Sequence, residues 1–453
     1  MDQVSFERIA ESFAAFHRQF APFFGRPEAM RRSEQYLRGL LVQQTDRRNA
    51  ENVAEAVEGA SPRALQRFLT NSPWSSARVL KKLRGYVAKR LNSPEGVFVV
   101  DETGFPKQGK QSVGVARQYC GPLGKVANCQ VAVFLAYVSP RGHALVDGEL
   151  FLPQQWIDDP ARCRKAGVPE ETAYQTALEL ALAQLRRVRQ EGQLQGQWVT
   201  ADVHYGEGQD FRDALNTEGW LYVLEVQRTT KVFAQQSRAE IPARRGHGRH
   251  PTRLRLVEGE PGPQTVEEIA ASLIASDWQV LTVAEGSQGP RSYQFAARRV
   301  WERREEVPDR ECWLVLRHNR DGSESKYYLS NAPRETPLLC LAQVGARRWP
   351  VETEFQTAKG ETGLDEYEVR SWQGWHHHMV LALLAGAFLL TLQQEWGEKD
   401  APRDPASDYA GATGSTPSAG VETRSIARLA CYYPGTSSPG QACPRQATPY
   451  RVC

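Results

Sequence analysis

Two apolar runs in this 453-residue chain end in carboxylates. The stretch "GVFVVDETGFPKQG" (96–109) carries Val97–Val100 straight into Asp101 and Glu102, and "GQWVTADVHYG" (196–206) carries Trp198–Ala201 into Asp202. A buried strand that ends in an acid is ordinary, because strand ends meet solvent. The pair acquires meaning only if the two strands are neighbours, since paired strands lie about 4.8 Å apart. Carboxylates held that close repel each other unless a divalent cation sits between them. A third acid on a helix beside those strand ends would complete a site for Mg²⁺ or Mn²⁺, and a pair of such ions serves phosphoryl transfer. The segment "WPVETEFQTAKG" (349–360) offers Glu352 and Glu354. Two positions apart on a helix they point about 200° from each other, so only one of them can face such a site.

No histidine or cysteine set competes for a metal. His376, His377 and His378 are adjacent, about 100° apart on a helix, and cannot chelate jointly, which leaves them a structural or phosphate-contacting role. Eight cysteines are scattered without a C-x-x-C pair, which excludes a zinc ribbon and a disulfide scaffold.

The elements that must position these acids follow from periodicity. Residues 1–92 read as an all-helical domain, with helical spacing in "FERIAESFAAFHRQFAPFF" and two helices around a turn in 61–91, where Ser61-Pro62 forms an N-cap and first-turn pair and "NSPWS" a break. From 93 to 226 the texture is α/β. A meander of strand-like segments ("GVFVVDE", "QSVGVARQYCG", "NCQVAVFLAYVSP", "HALVDGELFLP") is followed by a helix at about 170–190, the strand before Asp202, a helix, and the strand "WLYVLEV" (220–226). Residues 227–340 read as a β-rich insertion. Helices resume over 341–397, with Pro350 in the first turn of one helix, Gly360 as its C-cap, and a buried helix at 378–396. The Pro/Ser/Gly/Thr-rich segment 398–453 reads as a disordered tail.

Apolar and charged fractions of 41% and 24% describe a globular protein, not a fibrous or disordered one. The longest apolar run, "MVLALLAGAFLLTL" (379–392), is too short to span a membrane, and the N-terminus lacks a cationic start with an apolar block, so the expected location is the cytoplasm. A net charge of +3 announces no nucleic-acid partner by itself. Its distribution is more telling, with basic runs at 78–91, 244–255 and 345–350. Each run taken singly reads equally as a solvated face.

Taken in order, these blocks resemble a bacterial insertion-sequence transposase of the DDE superfamily, the RNase H-like group with a Y-x(2)-R-x(3)-E-x(6)-K signature. Arg348, Glu352 and Lys359 stand at the signature's R, E and K spacing, while "DETGFPKQG" and "ADVHYG" are similar to the blocks around the first two aspartates. The match spans about residues 10–395. The signature's tyrosine position falls on Gly345, so whatever that ring contributes is either missing or supplied elsewhere, as by Trp349.

The resemblance implies an RNase H-like mixed sheet with flanking helices, and selects Glu352 over Glu354 as the third acid, leaving Glu354 solvated. It implies that Asp101, Asp202 and Glu352 are catalytic and hold two Mg²⁺ ions, with Mn²⁺ as a substitute. One ion would activate water and later the 3′-OH; the other would stabilise the leaving oxygen. Double-stranded DNA, both transposon ends and target, becomes the expected partner, bound by a homodimer or larger assembly. Arg348 and Lys359 would reach phosphates beside the scissile bond, and Lys107 and Lys110 would clamp a strand unless they merely solvate their loop. Lys81, Lys82, Arg84 and Lys89 would contact duplex backbone. His204 is a DNA contact or a structural turn residue, and Trp349 and Trp372 stack on bases or pack in the core. A catalytically inactive, transposase-derived DNA-binding regulator is the alternative from another class. A carboxylate-pair glycosidase is the enzymatic rival, distinguished by needing no metal.

Overall fold

The computed structural model describes residues 3–42, 47–243, 250–286 and 289–397. The expected tail and residues 244–249 of the second basic run lie outside the described residues.

The N-terminal segment forms α1 (Gln3–Arg18), α2 (Pro27–Leu41), α3 (Ala50–Ala56), α4 (Pro62–Thr70) and α5 (Ser76–Leu91). Pro62 opens α4 as the sequence predicts, although the Ser61 side chain makes no cap bond; Ser75 caps α5 by accepting from the Arg78 N–H. Four strands follow: β1 (Val97–Pro106), β2 (Ala116–Cys120), β3 (Lys125–Ser139) and β4 (Gly142–Leu150). Two short helices, α6 (Gln154–Ile157) and α7 (Pro160–Ala166), lead to α8 (Ala177–Glu191), then β5 (Trp198–Ala201), α9 (Val203–Gly206), α10 (Gln209–Thr217) and β6 (Leu221–Val226). The next segment holds β7 (Lys231–Phe233), β8 (Ala239–Glu240), β9 (Arg255–Leu256), β10 (Gln264–Thr265) and α11 (Val266–Ala271). After it come β11 (Gln279–Gly286), β12 (Gly289–Arg304), β13 (Val307–His318) and β14 (Ser325–Ser330). The chain returns to helices with α12 (Leu338–Ala346), α13 (Trp349–Thr362) and α14 (Trp372–Gly397).

Among the described residues one sheet of twelve strands organises the molecule. Its centre is the antiparallel set β4–β3–β1, continued by β5 and β6 parallel to β1. This mixed sheet flanked by helices is consistent with an RNase H-like fold. The β-rich segment joins it directly: β14 pairs with β6 (Leu329↔Leu224), and β13 and β12 extend the same sheet outward. A small apolar cluster around Val266, Val300 and Leu314 fills that far end. The junction is tied electrostatically, because buried Glu302 of β12 accepts from Arg212 of α10, while Arg304 and Arg310 pair with Asp213.

A continuous apolar cluster runs from the N-terminal helices through the sheet, with Phe13 and Phe16 of α1 against Phe388 of α14. Helix α14 has the length and composition of a membrane span, but 89% of its apolar window is buried inside the molecule, as a core helix requires. The end of α13 differs from the expected Gly360 cap. The helix continues to Thr362, and Gly363 takes the left-handed conformation (φ 62°) with Leu364 N–H returning to the Ala358 carbonyl. Only a residue without Cβ fits there, since a Cβ at 363 would meet the Arg48 side chain at 2.8 Å.

Candidate active site

Register decides where the two aspartates meet. β1 and β5 run in parallel from Val97↔Trp198 to Val100↔Ala201, so Asp101 and Asp202 are the next positions on adjacent strands. The expectation that Asp101 ends its strand is corrected. β5 stops, but β1 continues on β3 as far as Pro106, and Asp101 itself pairs with Phe134. That extension buries it: Asp101 is 8% exposed. One carboxylate oxygen accepts the Glu102 N–H at 2.8 Å, and the other lies 3.9 Å from Arg348. Desolvation pushes its pKa up to about 7; Arg348 opposes the shift and Asp202 adds to it. Asp202 caps α9 by accepting the His204 N–H at 3.0 Å.

Arg348 precedes α13 and stands among three carboxylates: Asp101 at 3.9 Å, Glu225 at 3.5 Å and Glu352 at 3.6 Å. None of these is a short paired contact, and the buried Nε has no hydrogen-bond partner among the described residues. Burial alone would lower its pKa, but the surrounding carboxylates raise it. Glu352 is half exposed on the Arg348 side of α13. Glu354 points the other way, and rather than being solvated it pairs with His143 of β4 at 3.2 Å.

A family model described as DDE superfamily endonuclease matches residues 19–290. The chain belongs to the DDE superfamily endonucleases. A curated relative, "Probable transposase for insertion sequence element IS701" from Microchaete diplosiphon, is 24% identical over 358 residues, covering 79% of this chain and 80% of that protein. Among solved structures, the NurA nuclease from Sulfolobus solfataricus is similar at 11% identity and a TM-score of 0.25, over 70% of this chain and 92% of that one.

In this DDE endonuclease the remaining candidates separate into three groups. Lys81, Lys89 and the half-buried Lys82 line the outer face of α5 with Arg78 and Phe23, while Lys110 is exposed in the loop after β1 and His204 is exposed on the short helix α9. Lys359 and Lys107 are engaged. Lys359 donates to Thr103 Oγ1 at 2.8 Å, and Lys107 donates to the Tyr367 carbonyl at 3.0 Å with its ammonium 3.5 Å from the Tyr367 ring. Burial lowers the Lys107 pKa to about 8. Arg84 is a correction. It is 1% exposed, forked onto Glu191 with two bonds of 2.7 Å and reaching Asp147 at 3.2 Å, so it cannot contact a phosphate. Its position on the helix faces β4 and α8, which supply Asp147 and Glu191.

Trp349 is exposed, with the Arg291 guanidinium 3.2 Å above its ring, and Trp372 packs beside His376. His377 stacks on Trp74, and His378 bonds Tyr36 and the Gly363 carbonyl, both in the core, which leaves those two the structural role.

Sequence reasoning missed Glu225, Glu102 and Tyr328. Glu225, near the end of "WLYVLEV", is a third acid closing an apolar strand, the same signal that singles out Asp101 and Asp202; it holds both Arg348 and Lys326. Glu102 lies 3.4 Å from the Tyr205 hydroxyl, and burial raises its pKa while His204 opposes that. Tyr328 fills the space over Gly345, where a Cβ would lie 3.7 Å from its ring. No local pattern links positions 328 and 345.

The donor chemistry suits a divalent cation at the aspartate pair: two adjacent carboxylates, one of them desolvated and neutralised only by a long arginine contact. Glu352 does not join them here, and among the described residues no three acidic, histidine or cysteine side chains are grouped so as to hold one metal ion.

Proposed function

We propose that this DDE superfamily endonuclease is a transposase that cuts DNA at the ends of its element and joins those ends to target DNA. The observation that carries the reading is the β1/β5 register, which makes Asp101 and Asp202 neighbours, with Arg348 just before α13 lying 3.9 Å from Asp101 and 3.6 Å from Glu352. The curated relative's name supports the same reading.

Asp101, Asp202 and Glu352 would hold Mg²⁺, or Mn²⁺ in its place, as two ions. Bound there, such ions make water or a 3′-OH nucleophilic at neutral pH and stabilise the departing oxygen. The chain's own groups do the rest. Arg348, loosely held, exchanges its carboxylate contacts for the phosphates beside the scissile bond. Glu225 and Lys326 keep that guanidinium aimed at the strand ends, and buried Tyr328 walls the site against Gly345. Lys81, Lys82 and Lys89 bind duplex backbone, with Lys110 and His204 nearer the site. Lys107 and Lys359, both engaged inside the fold, position β1 and not the DNA. The protein acts in the bacterial cytoplasm on nucleoid DNA, as a dimer or larger assembly on its ends.

Nicking of a duplex carrying the repeats that flank the reading frame tests this. Cleavage that requires Mg²⁺ and vanishes in Asp101→Asn is expected. Duplex binding without any nicking would favour the DNA-binding regulator, and cleavage that survives EDTA would overturn the metal site.

A further inference from the structure

We propose that the β2–β3 hairpin is a duplex-DNA grip, a two-stranded ribbon that lies in a groove several base pairs from the scissile phosphate. The proposal rests on the DNA-cutting reading and adds a contact surface that the acids and the α5 lysines do not supply.

The ribbon has a pinned back and a bare front. On the back, Cys120 and Cys129 are buried, and Cys120 Sγ sits so close over Gly104 of β1 that a Cβ there would meet it at 2.8 Å. On the front, Tyr119 faces Val126 across the ladder, and Arg117 faces Asn128. Tyr119 is 62% exposed, Val126 55%, and Leu123 in the connecting turn 44%. Three apolar side chains left bare on one small ribbon mark a contact surface.

Charge identifies the occupant. Residues 103–146 contain no Asp or Glu, yet carry Lys107, Lys110, Arg117, Lys125 and Arg141. Asn128 donates to the carbonyls of Lys107 and Gly109, which fastens the exposed Lys110 turn to the foot of the ribbon's front face. From foot to tip the front therefore runs Lys110, Arg117, then Tyr119 with Val126, while Lys125, opposite Cys120, stands exposed at the tip on the other face of the ribbon. A cationic edge around a bare aromatic suits a polyanion with apolar base edges, and a two-stranded ribbon has the width of the DNA major groove.

Reach is consistent with a DNA lying over the acids. Val126 is eight positions along β3 from Phe134, the partner of Asp101. At about 3.4 Å per residue the Tyr119 level is about 27 Å from the acids, close to eight base pairs of duplex. Arg117 and Lys125 grip phosphates there, while Tyr119 and Val126 rest on base edges such as thymine methyls.

The test is fluorescence anisotropy of a labelled 40-base-pair duplex in EDTA buffer across a salt series, with circular dichroism to confirm folding. Arg117→Ala with Lys125→Ala should flatten the slope of log K against log salt by about 1.8, close to 0.9 for each phosphate no longer neutralised. Tyr119→Ser should weaken binding about five-fold with the slope unchanged, and Tyr119→Phe, which keeps the ring, should bind like wild type. Hairpin variants that match wild type within two-fold, while removal of the α5 lysines still flattens the slope, would overturn the hairpin and leave the DNA reading intact. A wild-type protein without salt-dependent duplex binding would remove both. If Tyr119→Ser instead dissolves a dimer in sedimentation with DNA binding unchanged, the ribbon is a self-association surface and the proposal fails.

Discussion

A buried arginine, Arg84, and a half-buried one, Arg348, are each surrounded by acids, and they behave oppositely. Arg84 is saturated: it forks onto Glu191, reaches Asp147, and shares Asp147 with Arg187, which also holds Glu149. Arg348 faces three carboxylates, yet each stands 3.5–3.9 Å away. The first region joins α5, α8 and β4 into one body. The second leaves a cation and its acids imperfectly matched, which costs stability but keeps them free to exchange partners with an ion or a phosphate. Short, complete pairing marks structure; long, shared pairing marks a place for something else.

The largest effect expected from breaking the loose cluster is catalytic. Asp101→Asn, Asp202→Asn and Glu352→Gln should each reduce nicking to background in a gel assay while leaving duplex binding intact. Asp101→Asn should also raise the metal-free melting temperature, because it removes a desolvated charge. Wild-type nicking by any one of them would take that residue out of the site.

Breaking the saturated cluster should do the reverse. Arg84→Met leaves Glu191 without its forked partner and Asp147 with Arg187 alone, and denaturant titration should show a loss of about 3–5 kcal/mol. Arg348→Met should cost much less and should tighten Mn²⁺ binding measured by electron paramagnetic resonance, since it removes a competing cation. Equal destabilisation by the two substitutions would collapse the comparison.

The helix face of α13 gives a smaller and pH-dependent effect. Glu354→Gln should keep activity, in contrast to Glu352→Gln. Burial alone would lower the His143 pKa, but the bond and charge of Glu354 raise it above the ordinary 6.5. A raised histidine pKa contributes stability that is complete below 6.5 and disappears as pH rises through the folded-state value. Glu354→Gln should therefore cost up to about 1 kcal/mol at pH 6 and close to nothing at pH 9. A cost that persists at pH 9 would point to packing rather than charge.

Smallest of all is the change at α5. Replacing Lys81, Lys82 and Lys89 by alanine should flatten the salt dependence of duplex binding by about 0.9 for each phosphate these lysines neutralise, with stability unchanged. An unaltered slope would return this face to solvent.

Much of the site is legible because an apolar run that ends abruptly in an acid is a local pattern. Asp101, Asp202 and the two candidate glutamates can each be picked out locally, and helical geometry alone states that Glu352 and Glu354 oppose each other. The same pattern is present at Glu225, but its significance depends on Arg348 reaching it from 123 residues away. The basic run on α5 misleads at one position. Charge along a helix is visible in sequence, but which cation turns inward is set by the acids of β4 and α8 that lie beneath it.

What the sequence determined by itself, then, is what depends on neighbours within a few residues. The helix and strand periods, the proline that opens α13 and the acid-tipped strands are of this kind. Which strands pair, how far β1 runs past β5, and which groups engage Lys107, Lys359 and Arg348 were decided only by the tertiary structure. These depend on groups far apart in sequence and on the removal of water around them, and neither is encoded in any local window.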